Sequence, residues 1–390
     1  MSEPQGPPRP AAVLIASEHY RSHRYGANHP LPIPRVSLTL DLIRACEALD
    51  PQELIAGRCA TREELRWHHT GDYLRALERA QAFGQVRSPD RIRHALGTLE
   101  NPWFPGVYYT PALATGSSIQ AAEAVLSGQR AFSPAGGMHH ARPDRACGFC
   151  YLNDPVLAIL RLRQGRRRVL YLDLDAHHGD GVEEAFAADP EVLTVSLHMD
   201  TAYAYPFSGG AVTDIGVVPG AGTCINVPLP QGTHDAEYRL VFEAVWNAAM
   251  RQFVPDVVVV QAGTDGLFAD PLGRFALSTE GFLGIMAQVL REAPGLLVLG
   301  GGGYHPLLLA RCWTGLWALL SGRALPDEWS PAAAQVLSGA GWDQDEDEPH
   351  YESLLKRRFD RLSPQAVRPE VLAILDKLQS HHPLLREMCG

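Results

Sequence analysis

A chain of 390 residues with 46% hydrophobic content can bury a large core, enough for one large α/β domain. Its formal net charge of -10 argues against a general polyanion binder, because non-specific nucleic-acid affinity comes from cations that displace counterions at phosphates. Seven cysteines, odd in number and scattered, exclude a disulfide-stapled secreted scaffold, and no apolar run approaches the ~20 residues of a membrane helix.

In chain order, Met1 to Pro10 is proline-rich and lacks the basic-then-apolar order of a signal peptide, so it is expected to be a flexible start to a cytoplasmic protein. Val13 to Ala16 predicts a first buried strand, and His19 to Arg35, rich in His, Pro, Arg and Tyr, an irregular functional surface. Ser37 to Leu49 and Thr61 to Phe83 carry apolar residues at helical spacing. Leu96 to Tyr109 has loop composition, and Pro111 to Ser127 predicts a helix packed closely on a sheet.

Further on, Arg168 to Asp173, Val192 to Leu197, Asp256 to Gln261 and Leu296 to Gly300 are short, apolar, β-branched runs separated by helical patterns such as Glu237 to Arg251. That alternation predicts a mostly parallel sheet with helices on both faces. With no internal repeat or sharp composition break, residues 1–390 are expected to form a single domain with a core of about 11–320. Residues 340–350 are expected to form an acidic loop, and 351–390 a C-terminal helical segment.

The polar motifs follow the strand ends, where ligands of open parallel sheets bind. Asp175 and His177, two apart in an extended segment, project to one side, and Asp265 arrives after another strand. Three such ligands with one open position suit a catalytic zinc ion. A lone D-x-H would more simply be a turn; the second acid and the upstream His139-His140 pair favour a site. Two adjacent imidazoles suit proton transfer, with Asp173 and Asp180 as candidates to orient them. Gly300 to Gly303 lacks the G-K-[ST] ending of a phosphate loop, so the glycines are expected to let the backbone hug the site while Tyr304 offers a phenolic donor to an oxyanion. Cys147-Gly-Phe-Cys150 has no second pair to complete a structural zinc site.

At Gly136 to Asp154, Val169 to Phe186, Gln261 to Gly273 and Leu299 to Pro306 the chain resembles the zinc-dependent histone deacetylase family, in particular its class I-like members and the bacterial acetoin-utilisation deacetylases. The resemblance implies an arginase/deacetylase α/β fold and a tunnel for an acylated protein lysine or small acylated amine. It implies Asp175, His177 and Asp265 as zinc ligands, His140 as general base and acid, His139 as its electrostatic partner, Asp173 and Asp180 as their orienting acids, and Tyr304 as oxyanion donor. Gly148, Phe149 and Tyr205 would line the tunnel, Leu272 would form its lip, and Glu100 would stand where relatives have a rim aspartate. Two potassium ions are implied as well, one near Asp173, Asp175, His177, Ser196 and Leu197, the other near Phe186, Asp189 and Val192.

Basic residues that nuclear relatives use to hold inositol phosphate with a corepressor fall on Pro32, Pro271 and Leu307, so such a partner is not expected. An arginase-like dinuclear enzyme would need more paired carboxylates than Asp265-Gly266-Leu267 provides. An acetylpolyamine amidohydrolase would use the same zinc chemistry. A catalytically silent acyl-lysine-binding scaffold would lack a ligand, His140 or Tyr304, and all are present. His178 is left without a chemical role.

Overall fold

A computed structural model describes residues 12–22, 34–340, 351–356, 359–360, 362–363 and 365–386. The expected flexible start, Pro32 and nearly all of the expected acidic loop lie outside the described residues. Eight strands form the sheet: β1 Ala12–Ala16, β2 Leu54–Ala56, β3 Arg130–Ser133, β4 Val169–Asp173, β5 Val192–Met199, β6 Cys224–Leu229, β7 Val257–Gln261 and β8 Leu296–Leu299. All neighbours pair in parallel, in the order β2-β1-β3-β8-β7-β4-β5-β6.

Strands β4, β5, β7 and β8 are buried along their whole length because helices cover both faces. On one face, Leu170, Leu172, Val258 and Val260 pack against the helices Asp235–Ala248 and Pro306–Ser321. On the other, Val169, Tyr171, Val257 and Val259 meet the helices Tyr109–Leu126 and Asp154–Gln164. Period-two alternation thus divides each strand between two cores.

Several expectations are corrected. The helix expected from Thr61 to Phe83 is two, Arg62–Leu65 and Gly71–Phe83. Thr70 caps the second by accepting from the Tyr73 N–H, and His69 between them is drawn inward, bonding Asn153 N–H and the Arg142 carbonyl. Local capping and a tertiary contact override continuous periodicity there. The C-terminal segment is not continuously helical: Tyr351–Lys356 and Pro369–His381 are separated by a stretch in which Arg368 pairs with buried Glu237. Short β2 and the helix Ser88–His94 gave no usable pattern beforehand.

From β4 the chain moves through β5 to β6 at one edge, then returns to insert β7 and β8 between β4 and β3. The carboxyl ends of β3, β8, β7, β4 and β5 therefore stand side by side. Every polar motif singled out in the sequence leaves the sheet from one of these five ends.

Candidate active site

Two carboxylates and one imidazole meet beyond β4 and β7. Ligand atoms of Asp175, His177 and Asp265 all lie within 4.8 Å of one another. His177 Nδ1 is 3.2 Å from Asp175 Oδ1 and 3.0 Å from Asp265 Oδ2. Backbone donors aim the acids: Gly302 N–H reaches Asp175 Oδ2 at 2.7 Å, and Ala176 N–H reaches Asp265 Oδ1 at 2.9 Å. A Cβ on Gly302 would stand 2.1 Å from Asp265 Oδ2, so only glycine lets the β8 loop approach this closely.

Both acids are buried, and burial together with the Asp175 charge pushes the Asp265 carboxyl above its usual range. Two buried carboxylates and an imidazole whose ligand atoms converge on one point form a mixed O/N donor set that suits zinc. The residues present fit such an ion.

Beside this trio, His139 Nδ1 lies 2.8 Å from Asp173 Oδ2, and His140 Nδ1 lies 2.7 Å from Asp180 Oδ1. The imidazoles are tilted neighbours, with centroids 3.9 Å apart. Burial alone would lower the His139 pKa, but Asp173 and Asp175 carry it to about 9. Burial, then positive His139, holds His140 down at about 4, so His140 is neutral at physiological pH. Its Nδ1 being engaged by Asp180, Nε2 is the nitrogen left for substrate.

The loop carrying the pair is pinned from below: the Asp154 carboxylate accepts from the N–H groups of Gly137 and Met138, and Gln261 Nε2 donates to the Gly137 carbonyl. Sequence reasoning gave Asp154 and Gln261 no role, although both fall inside the quoted motifs. Their signal is a buried polar group next to a glycine turn.

A cleft of about 230 Å³ leads down to His140 and His177, lined by Glu100, Gly148, Phe149, Tyr205, Leu272 and Tyr304 among others. Cys147 and Cys150 exchange two backbone hydrogen bonds around Gly148 and Phe149, both at positive φ. C-x-x-C is here the frame of a two-residue turn that thrusts Phe149 into the cleft. A Cβ on Gly148 would meet His140 Cδ2 at 2.4 Å, so the turn abuts the imidazole directly. Tyr205 packs edge-on against His140 with centroids 4.8 Å apart, and Phe149 against Tyr304 at 6.2 Å.

Glu100 is at the mouth, but its Oε1 already accepts from the Gly148 N–H and the Tyr205 hydroxyl. It braces the aromatic wall. Burial and then Asp265 and Asp175 raise the Tyr304 phenol well above its usual value, keeping it a proton donor.

Asp270 is a residue the sequence did not reveal. Its Oδ2 accepts from Tyr304 N–H at 2.7 Å, while Oδ1 accepts from Leu272 and Gly273 at 2.9 and 3.1 Å. One carboxylate thus ties the phenol's backbone to the lip. Buried His178 lies against His198, the rings tilted with centroids 4.6 Å apart, and is not among the residues that form the trio.

The residues proposed for potassium are also placed. Asp173 is paired in register with Ser196 across β4 and β5, with Asp175, His177 and Leu197 adjacent in the chain. Phe186, Asp189 and Val192 are joined by Asp189 N–H to the Phe186 carbonyl at 2.9 Å and Val192 N–H to the Asp189 carbonyl at 3.2 Å.

Comparison with known proteins gives the arrangement a family. A sequence profile described as the Histone deacetylase domain matches residues 29–320. Histone deacetylase 8 of Xenopus tropicalis is 40% identical over 296 residues, covering 75% of this chain and 80% of that protein. Two crystal structures, of an HDAC homolog from Aquifex aeolicus and of an HDAC homolog complexed with SAHA, each match at 42% identity and a TM-score of 0.92, covering 95% of this chain and all of theirs.

Proposed function

The chain belongs to the zinc-dependent, class I-like histone deacetylase family and has its arginase/deacetylase fold, and on that premise we propose that it removes acyl groups, acetyl by default, from lysine side chains of proteins. The observation that carries this is the meeting of the Asp175, His177 and Asp265 trio with an Asp180-bound His140 at the foot of an aromatic-walled cleft. Among the described residues no helix is long and apolar enough to cross a membrane.

Asp175, His177 and Asp265 would hold the zinc ion, which when bound supplies Lewis acidity to the amide carbonyl and to a water molecule. Phe149 and Tyr205 enclose the lysine methylenes, which excludes water and sets the amide between His140 and Tyr304. His140 Nε2 takes the proton of the attacking water and delivers it to the leaving amine, becoming an imidazolium only in between. Asp180 favours that charged form and fixes the ring. Tyr304 donates its phenolic hydrogen to the oxygen on which negative charge develops. His139, charged already, offsets Asp173 and Asp175 and discourages premature protonation of His140.

Potassium completes this proposal, with Asp173, Asp175, His177, Ser196 and Leu197 around one ion and Phe186, Asp189 and Val192 around the other. The test is a panel of acetyl-lysine, longer acyl-lysine and N-acetylputrescine substrates offered to zinc-loaded protein. Hydrolysis of acyl-lysine peptides ahead of the polyamine supports a protein substrate. Preference for the polyamine would reassign the substrate to small amines, and no hydrolysis would refute the enzyme.

A further inference from the structure

The polar groups that line the cleft differ in how they are used. Glu100 is committed to Gly148 and Tyr205. Arg274 and Gln231 line the same cleft, and both are exposed. Among the described residues neither the Arg274 guanidinium nor the Gln231 side-chain amide has an ion pair or hydrogen bond.

Their backbones, by contrast, are held. Arg274 N–H donates to Met199 Sδ at 3.2 Å, and the Arg274 carbonyl accepts from Gly232 N–H at 2.6 Å. Gln231 N–H donates to the Tyr203 hydroxyl at 3.2 Å, and its carbonyl accepts from Arg368 at 3.0 Å. Asp270 fixes Leu272 and Gly273 just before Arg274. A guanidinium on a fixed backbone, without an acid of its own, beside an apolar lip, is an open position for an anion.

We propose that Arg274, assisted by Gln231, is a specificity-determining subsite for a carboxylate carried on the main-chain side of the acylated lysine. The proposal rests on the acyl-lysine reading above, since it places the lysine's alkyl chain in the cleft and its backbone at the mouth. A guanidinium fork matches a carboxylate with two parallel hydrogen bonds, and an adjacent amide can add a third. The carboxylate has two possible sources, the side chain of a flanking Asp or Glu and the free terminus of a chain ending in the acylated lysine. At this distance from the reacting amide, recognition acts on KM and leaves kcat to the groups below.

The test uses dye-labelled acetyl-lysine peptides that differ only in their flanks: alanine, aspartate on either side, lysine on either side, and chains ending at the acetyl-lysine as free acid or amide. Initial rates and fluorescence anisotropy are measured together on the zinc-loaded chain. One or more carboxylate-bearing peptides should show about fivefold higher kcat/KM and tighter binding than the alanine peptide, weakening with added salt. The peptide that shows it identifies the source.

Arg274→Ala should bring the acidic-to-neutral ratio close to one, Arg274→Lys should retain part of it, and Arg274→Glu should shift preference to the lysine-flanked peptides. A wild-type ratio near one in both readouts, or a ratio that survives Arg274→Ala, would overturn the assignment. If no peptide is hydrolysed, the deacylase reading fails, while the anisotropy ratio still decides the role of Arg274.

Discussion

His139 with Asp173 and His140 with Asp180 are the same chemical pair built twice, from adjacent histidines, and the structure drives them in opposite directions. Asp173 is fully enclosed, takes the Tyr171 hydroxyl as well as His139, and sits beside Asp175; burial raises its pKa to about 6. Burial also acts on Asp180, yet His140 and Arg142 bring it to about 2. The deeper imidazole is pushed towards its charged form and the shallower one towards its neutral form. Function divides between identical side chains by how many acids surround each and which of them already owns a guanidinium.

Removing His140 should cost most, since His140 carries the proposed proton shuttle. His140→Ala should lower kcat on an acetyl-lysine peptide by about 10²- to 10⁴-fold with zinc content retained, measured by steady-state kinetics and metal analysis. An effect no larger than that of His139→Asn would erase the distinction between the pairs.

Asp180→Asn should lower kcat by about 10- to 100-fold, because orientation and stabilisation of the imidazolium are lost together. Its pH profile carries a sign. Asp180 raises the affinity of His140 for a proton, so without it His140 titrates lower and the acid limb of kcat/KM moves to lower pH. His139→Asn removes the cation that holds His140 down, so its acid limb should move to higher pH, with about a tenfold loss of rate. Limbs shifting in the same direction in both variants would show that the two pairs do not oppose one another.

Arg142→Ala should have the smallest effect. Arg142 donates to the Asp180 carboxylate and carbonyl and also meets Glu184, so its loss frees Asp180 without removing it. A several-fold decrease in kcat is expected, with KM for the acyl-lysine peptide little changed.

Much of this was legible in the sequence because the buried parallel strands announce themselves. β4 and β7 read as uninterrupted apolar runs since both faces are covered, and the acids follow directly where the runs stop. The motifs around Asp175, Asp265 and Tyr304 can thus be placed on one rim from the sequence alone. Short β2 escaped because three residues, two half-buried and one exposed, carry no period, and the break before Gly71 escaped because His69 is decided by contacts with Arg142 and Asn153.

Asp270 was invisible for another reason. Its value lies in accepting backbone N–H groups from its own loop and from the distant loop after β8, and backbone donors leave no trace in side-chain spacing. Glu100 was placed at the rim from the sequence, but its engagement by Gly148 and Tyr205 was not, because that depends on a loop meeting another far along the chain.

The most direct measurement strips the chain of metal with a chelator, restores zinc stepwise, and follows acetate release from an acetyl-lysine peptide beside bound zinc, in wild type, Asp175→Ala and Asp265→Ala. Activity should vanish on stripping, return in proportion to zinc up to one catalytic ion per chain, and not return in either variant at the same zinc concentration. Full hydrolysis by the stripped protein, or equal zinc restoration in the variants, would contradict the account.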